Sequence, residues 1–313
     1  MAWLCLRMLG CRLRPEEEDI REGSVHPAAW RFESPCPSGR ETIRATGSGA
    51  DAGEVRMRKS RNSRGACAAA VVVAAGASTR MKSPVRKPFM KIGGREILAW
   101  TVENLARVRA IRFFVIVVRP EDEAVARRIL SRVKALAGRE VRFAPGGPRR
   151  QDSVLNGLKA CGDDASLVAI HDAARPLVPP ENVERAIEAA AKIGGAILAC
   201  PVRDTLKAVA PDGLILRTVP RDGLYAAQTP QVFRLDELRE LMERACRENR
   251  EFTDDAGVFE AYGKPVLVVD SGPENLKITS RCDLKIASAG LKAARRWCGR
   301  QKDRRGAAGG TAT

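Results

Sequence analysis

Histidine is almost missing from this 313-residue chain, which has only His26 and His171. Its nine cysteines are scattered and form no C-x-x-C pair. Together these two facts argue against a zinc site. An odd number of cysteines, several inside apolar runs, reads as reduced, buried thiols in a cytosolic protein rather than a disulfide framework. Aromatic residues make up 4% of the chain, so the core must be built from aliphatic side chains. No apolar stretch is long enough to span a membrane. Residues 1–14 alternate apolar residues with arginine and run into Glu16-Glu17-Glu18-Asp19, so they lack the continuous apolar block of a signal peptide. The acidic cluster also argues against a transit peptide. A cytoplasmic protein is expected, with no membrane partner.

Acidic residues are outnumbered, 38 against 54 Lys and Arg, for a net charge of +16. Such a balance favours polyanionic partners, including phosphorylated small molecules. Part of the excess sits at the end of the chain. Residues 292–305 carry Lys292, Arg295, Arg296, Arg300, Lys302, Arg304 and Arg305 against one acid, Asp303. That pattern predicts a basic, flexible tail over 293–313 rather than a cleft. The tail lacks interleaved aromatics, and no RNA- or DNA-binding motif is present, so no specific nucleic-acid partner is expected.

What the chain has is a regular alternation between residues 67 and 292. Short β-branched apolar runs at 68–75, 111–118, 140–143, 167–170, 196–200 and 265–269 read as buried strands. Between and after them, helical spacing appears at 96–108, 121–136, 151–160, 180–193, 235–246, 254–262 and from Asp283 onward. Strand and helix alternating in this way predict an α/β domain with a parallel sheet and right-handed crossovers. Residues 203–221 break the rhythm. Two apolar runs there flank Pro211-Asp212-Gly213 and predict a β-hairpin that projects as an arm. Residues 1–66 hold Pro, Gly, Ser and mixed charges without period, and read as disordered or loosely attached, with Met57 as an alternative start.

In open α/β sheets, ligands bind at the carboxyl ends of the strands. The first such end reads Val73-Ala74-Ala75-Gly76-Ala77-Ser78-Thr79-Arg80-Met81, with Lys87 a few residues on. It matches neither the dinucleotide fingerprint nor the P-loop. Small residues at 74–78 let the backbone approach a phosphate, and N–H groups of such a turn cradle anionic oxygens. Arg80 and Lys87 add positive charge where a departing pyrophosphate would need it. Taken alone, the segment fits a phosphate grip and an ordinary strand-to-helix turn equally well. His171-Asp172 closes another strand. There His171 reads as a structural group bonded to backbone, and Asp172 as a carboxylate placed for Mg²⁺. Asp254 and Asp255 read as an N-cap pair for the helix after them.

Six further motifs follow in order: Asp152-Ser153-Val154, His171-Asp172-Ala173-Ala174-Arg175-Pro176, Pro201-Val202-Arg203-Asp204-Thr205, Thr229-Pro230-Gln231, Thr253-Asp254 and Asn275-Leu276-Lys277-Ile278-Thr279. With the loop, they make residues 67–292 resemble the 2-C-methyl-D-erythritol 4-phosphate cytidylyltransferases. The resemblance implies a Rossmann-like, mostly parallel sheet flanked by helices, of the nucleotide-diphospho-sugar transferase type. It implies transfer of the cytidylyl group of CTP to methylerythritol phosphate with Mg²⁺, in a homodimer joined through the arm. Arg80 and Lys87 match groups that stabilise the transition state. Arg221 and Lys277 match groups that position the attacking phosphate. Ala74, Ala75, Gly76, Ser78, Gly147, Asp152, Ser153 and Asp172 fall to the nucleotide, with Asp172 also at the metal. Thr205, Arg175 and Thr229 fall to the substrate, Thr205 reaching it across a dimer interface and Arg175 orienting loops.

The chain departs from the family pattern in its 66-residue leader, which the family does not ordinarily have, and in three places within the matched region. Ser78 stands for a second loop glycine, Val73 for a common proline, and Arg86-Lys87-Pro88-Phe89 for a Pro-Lys-Gln-Tyr form. Asp204 is left outside the catalytic set, since it reads equally as a partner for Arg203. A ribitol-phosphate cytidylyltransferase on the same fold is the alternative, and a nucleic-acid-binding module using the basic tail is the alternative from another class.

Overall fold

The computed structural model describes residues 67–76, 81, 83 and 85–291. The expectations for 1–66 and 293–313 lie outside these residues, as do those for Ser78 and Arg80. The chain divides into a unit at residues 1–60 and a second unit at 61–313, which holds everything described below.

A seven-stranded sheet organises the second unit. Its strands are β1 (Ala68–Val73), β4 (Ile111–Val118), β5 (Glu140–Pro145), β6 (Leu167–Asp172), β7 (Gly195–Pro201), β10 (Tyr225–Arg234) and β11 (Leu267–Asp270), in the order β11-β7-β10-β6-β1-β4-β5. Six run parallel, and β10 lies antiparallel between β6 and β7. The α/β sheet, mostly parallel, is therefore as the sequence predicts. Central strands such as β1 and β6 are buried on both faces, which explains their unbroken apolar runs.

Helices cover both faces: α1 (Ile97–Ala106), α2 (Glu123–Leu130), α3 (Arg150–Cys161), α4 (Pro180–Ile193), α5 (Leu235–Arg247) and α6 (Asp255–Ala261). Residues 281–291 are also helical. One face packs Leu98, Val102 and Leu105 of α1 with Ala126 and Ile129 of α2 and Val183 and Ile187 of α4. The other packs Val154 and Leu158 of α3 with Leu238 and Met242 of α5 and Phe259 of α6. Each fully buried aliphatic side chain of this kind stabilises the fold by about 1.5–3 kcal/mol relative to exposure. Gly157 lets α3 lie close on the sheet, because a Cβ there would stand 2.5 Å from Cγ1 of Val71.

Three elements differ from the sequence expectation. The helix expected over 121–136 stops at Leu130, and the chain continues through a 3₁₀ turn at Lys134–Leu136. The three-residue spacing of Leu130, Val133 and Leu136 serves either geometry, since 3₁₀ turns also align i and i+3. Strand β10 was not expected at all, because Pro230 argues against a central strand. The register is broken between Ala227 and Gln231, so the missing N–H falls in an irregular stretch. A short pair, β2 (Lys91–Ile92) and β3 (Arg95–Glu96), turns at Gly93 and Gly94, both at positive φ.

The arm is a separate two-stranded sheet, β8 (Leu206–Val209) with β9 (Ile215–Val219), as expected. Among the described residues the cysteines are unpaired, but the expectation that they are buried holds fully only for Cys161. Cys282 is exposed, and Cys67, Cys200 and Cys246 are half-buried, on the flanks of the apolar layers. No helix among the described residues is long and apolar enough to cross a membrane.

Candidate active site at the carboxyl edge of the sheet

Asp172 ends β6 directly beside Val73, the last residue of β1. The backbone N–H of Ala173 donates to the carbonyl of Val73, 3.1 Å away. The loop at 74–76 therefore leaves the sheet alongside the Asp172 carboxylate. Ala74 is buried and donates its N–H to the carbonyl of Val117 on β4. The carbonyl of Ala75 accepts from Nε of Arg119 at 3.1 Å. Gly76 is exposed, and the described residues of the loop resume at Met81, which is buried. Lys87 begins a short 3₁₀ turn at Lys87–Phe89 that enters the β2–β3 pair.

Asp172 is almost wholly buried, yet its carboxylate meets three cations. Lys277 Nζ lies 2.8 Å from Oδ2, Arg175 Nε 3.5 Å from Oδ2, and Arg150 Nε 3.9 Å from Oδ1. Burial alone would raise its pKa. The cations win, Lys277 foremost, and the carboxyl is held down at about 2. Arg150 also forks onto Asp255 in a two-bond pair at 2.9 and 2.8 Å. Asp255 has no exposed surface, and that burial, opposed by Arg150, pushes its pKa upward. The cluster thus sets three cations against two carboxylates and keeps a positive excess at the sheet edge, suited to an anionic ligand.

Behind this edge the polar groups hold one another. The Thr229 hydroxyl accepts the N–H of Asp172 at 3.0 Å and lies 3.0 Å from Nδ1 of His171. His171 Nε2 is 3.2 Å from the carbonyl of Arg175, which can only accept. The proton is therefore on Nε2, and Nδ1 accepts from Thr229. His171 is fully buried, and burial lowers its pKa to about 4, so the ring is neutral at physiological pH. This matches the structural role read for it. Thr229, assigned to the substrate, is itself buried, and its hydroxyl lies within this network. Arg175 donates Nη1 to the carbonyl of Asn275, 2.7 Å away, and so ties the β6 exit to the segment that carries Lys277.

The loop before α3 forms the opposite wall. Gly146 donates to the carbonyl of Val118, and a Cβ on it would fall 2.3 Å from Cβ of Ala75. A Cβ on Gly147 would fall 2.5 Å from Cβ of Asp152. Only glycines allow this loop to lie against 74–76 and α3 together. Ser153 accepts the N–H of Gly147 at 3.0 Å and donates to the carbonyl of Arg149 at 3.2 Å. Asp152 accepts from the backbone N–H of Arg149 and pairs with its guanidinium, closing the N-terminus of α3. The expected nucleotide group at Ala74, Ala75, Gly76, Gly147, Ser153 and Asp172, with Lys277 and Arg175, is brought to one edge of the sheet.

Arg221 and Thr205 lie elsewhere, on exposed backbone at the root of the arm. Arg221 donates to the carbonyl of Arg203. Two members of the cluster were not assigned by sequence reasoning. Arg150 has no motif position of its own, being two residues before the quoted Asp152-Ser153. Asp255 was taken as half of a cap. In the structure only Asp254 caps α6, accepting from Gly257 at 3.0 Å, while Asp255 turns inward to Arg150. The Asp-Asp pair followed by small and apolar residues was the signal available.

Residues 68–293 match the family model for 2-C-methyl-D-erythritol 4-phosphate cytidylyltransferase. The chain belongs to this cytidylyltransferase family. It is 41% identical over 226 residues to the 2-C-methyl-D-erythritol 4-phosphate cytidylyltransferase of Pelotomaculum thermopropionicum, covering 72% of this chain and 94% of that one. It is 42% identical over 217 residues to the enzyme of the same name from Microcystis aeruginosa, covering 69% and 95%. Among solved structures, 4-diphosphocytidyl-2C-methyl-D-erythritol synthase from Anaerococcus prevotii is 31% identical with a TM-score of 0.64, covering 72% of this chain and 96% of that one. The cytidylyltransferase of Thermus thermophilus is 35% identical with a TM-score of 0.58, covering 71% and 98%. The span of the family match begins with β1 and includes every element of the sheet and the arm.

Proposed function

We propose that this chain transfers the cytidylyl group of CTP to 2-C-methyl-D-erythritol 4-phosphate, for isoprenoid precursor synthesis. The observation that carries this reading is the cationic edge around Asp172, set beside the glycine-lined loops in a chain of this family. A phosphate oxygen of the sugar phosphate attacks the α-phosphorus of CTP. The bond from that phosphorus to the β-phosphate bridging oxygen breaks, and pyrophosphate leaves with the electron pair. Such a reaction asks the protein for alignment and for positive charge near the phosphates.

The loop from Ala74 to Lys87 holds the triphosphate, and the roles of Arg80 and Lys87 are to stabilise the charge that develops as pyrophosphate departs. Lys277, held at Asp172, and Arg221, carried by the arm, aim the incoming phosphate. Ser153 and Gly147, in the loop before α3, help hold the nucleotide. Arg175 and Thr229 fix the edge against which the substrate lies, and Thr205 meets it from the arm of a second copy.

Among the described residues no cluster of three or more His, Cys, Asp or Glu side chains could hold a metal by itself. Mg²⁺ does not require one. It is held by one or two carboxylates together with substrate phosphates and water. Asp172 fits that donor set, with Oδ1 facing only the looser contact to Arg150. The chemistry such an ion supplies when bound is neutralisation of triphosphate charge.

A homodimer through the arm is part of the proposal. Leu214, Ile215 and Leu216 are each more than 60% exposed at the hairpin, and Val209 about half. A two-stranded hairpin is marginal in water without an apolar face covered, and a second copy is the occupant that also brings Thr205 to a site. The reading places the enzyme in the cytoplasm, with no membrane and no specific nucleic-acid partner.

Pyrophosphate release from CTP and Mg²⁺, with methylerythritol phosphate and ribitol phosphate offered in parallel, tests the reading. Turnover is expected with the first alone, and turnover only with ribitol phosphate would sink it. Lys87→Ala is expected to lower turnover by about 10²–10³-fold with the fold intact, as loss of a charge-stabilising group does elsewhere. Unchanged turnover would remove Lys87 from the mechanism.

A further inference from the structure

Arg150 and Asp255 occupy places that a simple structural pin does not need. Asp255 is fully buried at the start of α6, and its backbone N–H is fixed by Oε1 of Gln231 on β10 at 2.9 Å. Gln231 in turn donates to Asp254, 2.8 Å away, so α6 is anchored to the sheet at two adjacent residues. From this anchored base the Asp255 carboxylate grips both terminal nitrogens of Arg150. A guanidinium held by two parallel bonds has little freedom to swing. Its remaining nitrogen, Nε, is thereby turned toward Asp172. It lies 3.9 Å from Oδ1, a charge contact rather than a hydrogen bond, while Lys277 and Arg175 both face Oδ2.

We propose that Arg150 and Asp255 form a positioning pair for cytidylyl transfer, fixing the Asp172 carboxylate through Oδ1. The inference rests on the cytidylyl-transfer reading. In it, Asp255 never meets substrate; it holds Arg150, and Arg150 sets the plane of Asp172. With the Arg150 charge 3.9 Å from Oδ1 and Lys277 2.8 Å from Oδ2, turning the carboxylate toward one side weakens its attraction to the other. Lys277 then keeps a fixed place relative to the loop at 74–76.

Removing only Arg150 would strand a buried carboxylate and endanger the fold. The decisive variant is therefore Arg150→Met with Asp255→Leu, which takes out both charges at similar volume and is expected to fold as stably as wild type. We expect kcat to fall about 10–100-fold while KM for CTP changes less than about threefold, as misplacement of a reacting group does. Asp255→Asn, which keeps the shape, is expected to lose about 3–10-fold in kcat, since a neutral acceptor holds the fork less firmly. In an Asp172→Asn background these losses should shrink to about twofold, because the pair acts through that carboxylate. A crystal structure of the double variant should show the Asp172 side chain turned from its present orientation. A folded double variant with wild-type kcat, losses undiminished in the Asp172→Asn background, or an unmoved Asp172 would each overturn the proposal. Wild-type turnover, measured alongside, tests the underlying reaction separately, and the crystallographic readout does not depend on it.

Discussion

The carboxyl edge of the sheet and the arm are built on opposite principles. At the edge, Asp172, Arg150, Asp255, Arg175 and Lys277 hold one another at short range, and glycines press the neighbouring loops together. The arm shows apolar Leu214, Ile215 and Leu216 to solvent. The edge is organised by its own chain before any ligand arrives. The arm presents apolar surface that the described residues leave uncovered. On the proposed reading, which takes Lys277 from the first and Arg221 from the second, the site is half preorganised and half dependent on assembly.

The largest effect should come from breaking the edge. Lys277→Ala removes the 2.8 Å partner of Asp172 and, on the proposed reading, the cation that aims the incoming phosphate. Turnover is expected to fall about 10²–10³-fold, measured as pyrophosphate release. Loss of less than about tenfold would mean that the edge is less important than its organisation implies. Next comes the arm. Leu214→Glu with Leu216→Glu should leave the circular dichroism of the sheet unchanged, shift sedimentation to a monomer, and lower turnover by about 10–100-fold, the usual reach of a misplaced group. A fully active monomer would show that the arm serves its own site.

Two smaller tests sharpen the contrast inside the edge. Gly147→Ala puts a methyl 2.5 Å from Cβ of Asp152. Overpacking of this kind costs about 1–3 kcal/mol, and KM for CTP should rise with it. A stable variant with unchanged KM would separate the loop from the nucleotide. His171 gives the smallest. Its pKa drops from 6.5 to about 4 on folding, so the unfolded chain binds the proton more tightly. The stability it contributes is complete above about pH 6.5 and is lost as pH falls toward 4, roughly 1–2 kcal/mol of it between pH 7 and 5. Melting curves across that range should show the slope, and His171→Gln should flatten it; an equal slope in the variant would place the titration elsewhere.

The sequence was most legible where one physical rule decided the outcome. Runs such as 111–118 and 180–193 became β4 and α4 with those bounds, because apolar period and flanking residues agreed. The arm was visible because Pro211-Asp212-Gly213 sits between two apolar runs. Strand β10 was hidden because Pro230 and polar Gln228 and Thr229 break its pattern. Tertiary contacts supply what the local sequence withholds, including the Gln231 anchor on α6. Within the site, the loop and Asp172 were legible as strand ends. Arg150 and Asp255 were not, since their pairing spans 105 positions and leaves no local trace.

The long strand β10 carries a consequence for engineering. Its first residue, Tyr225, pairs with Pro201, the last residue of β7. The arm therefore leaves the body and returns to it at two neighbouring points of one ladder. A segment that exits and re-enters at adjacent rungs can be cut out as a cassette. If the arm joins two copies as proposed, exchanging residues 202–224, with Arg221 and Thr205 retained, for the arm of a relative should change partner preference while leaving the Asp172 cluster untouched.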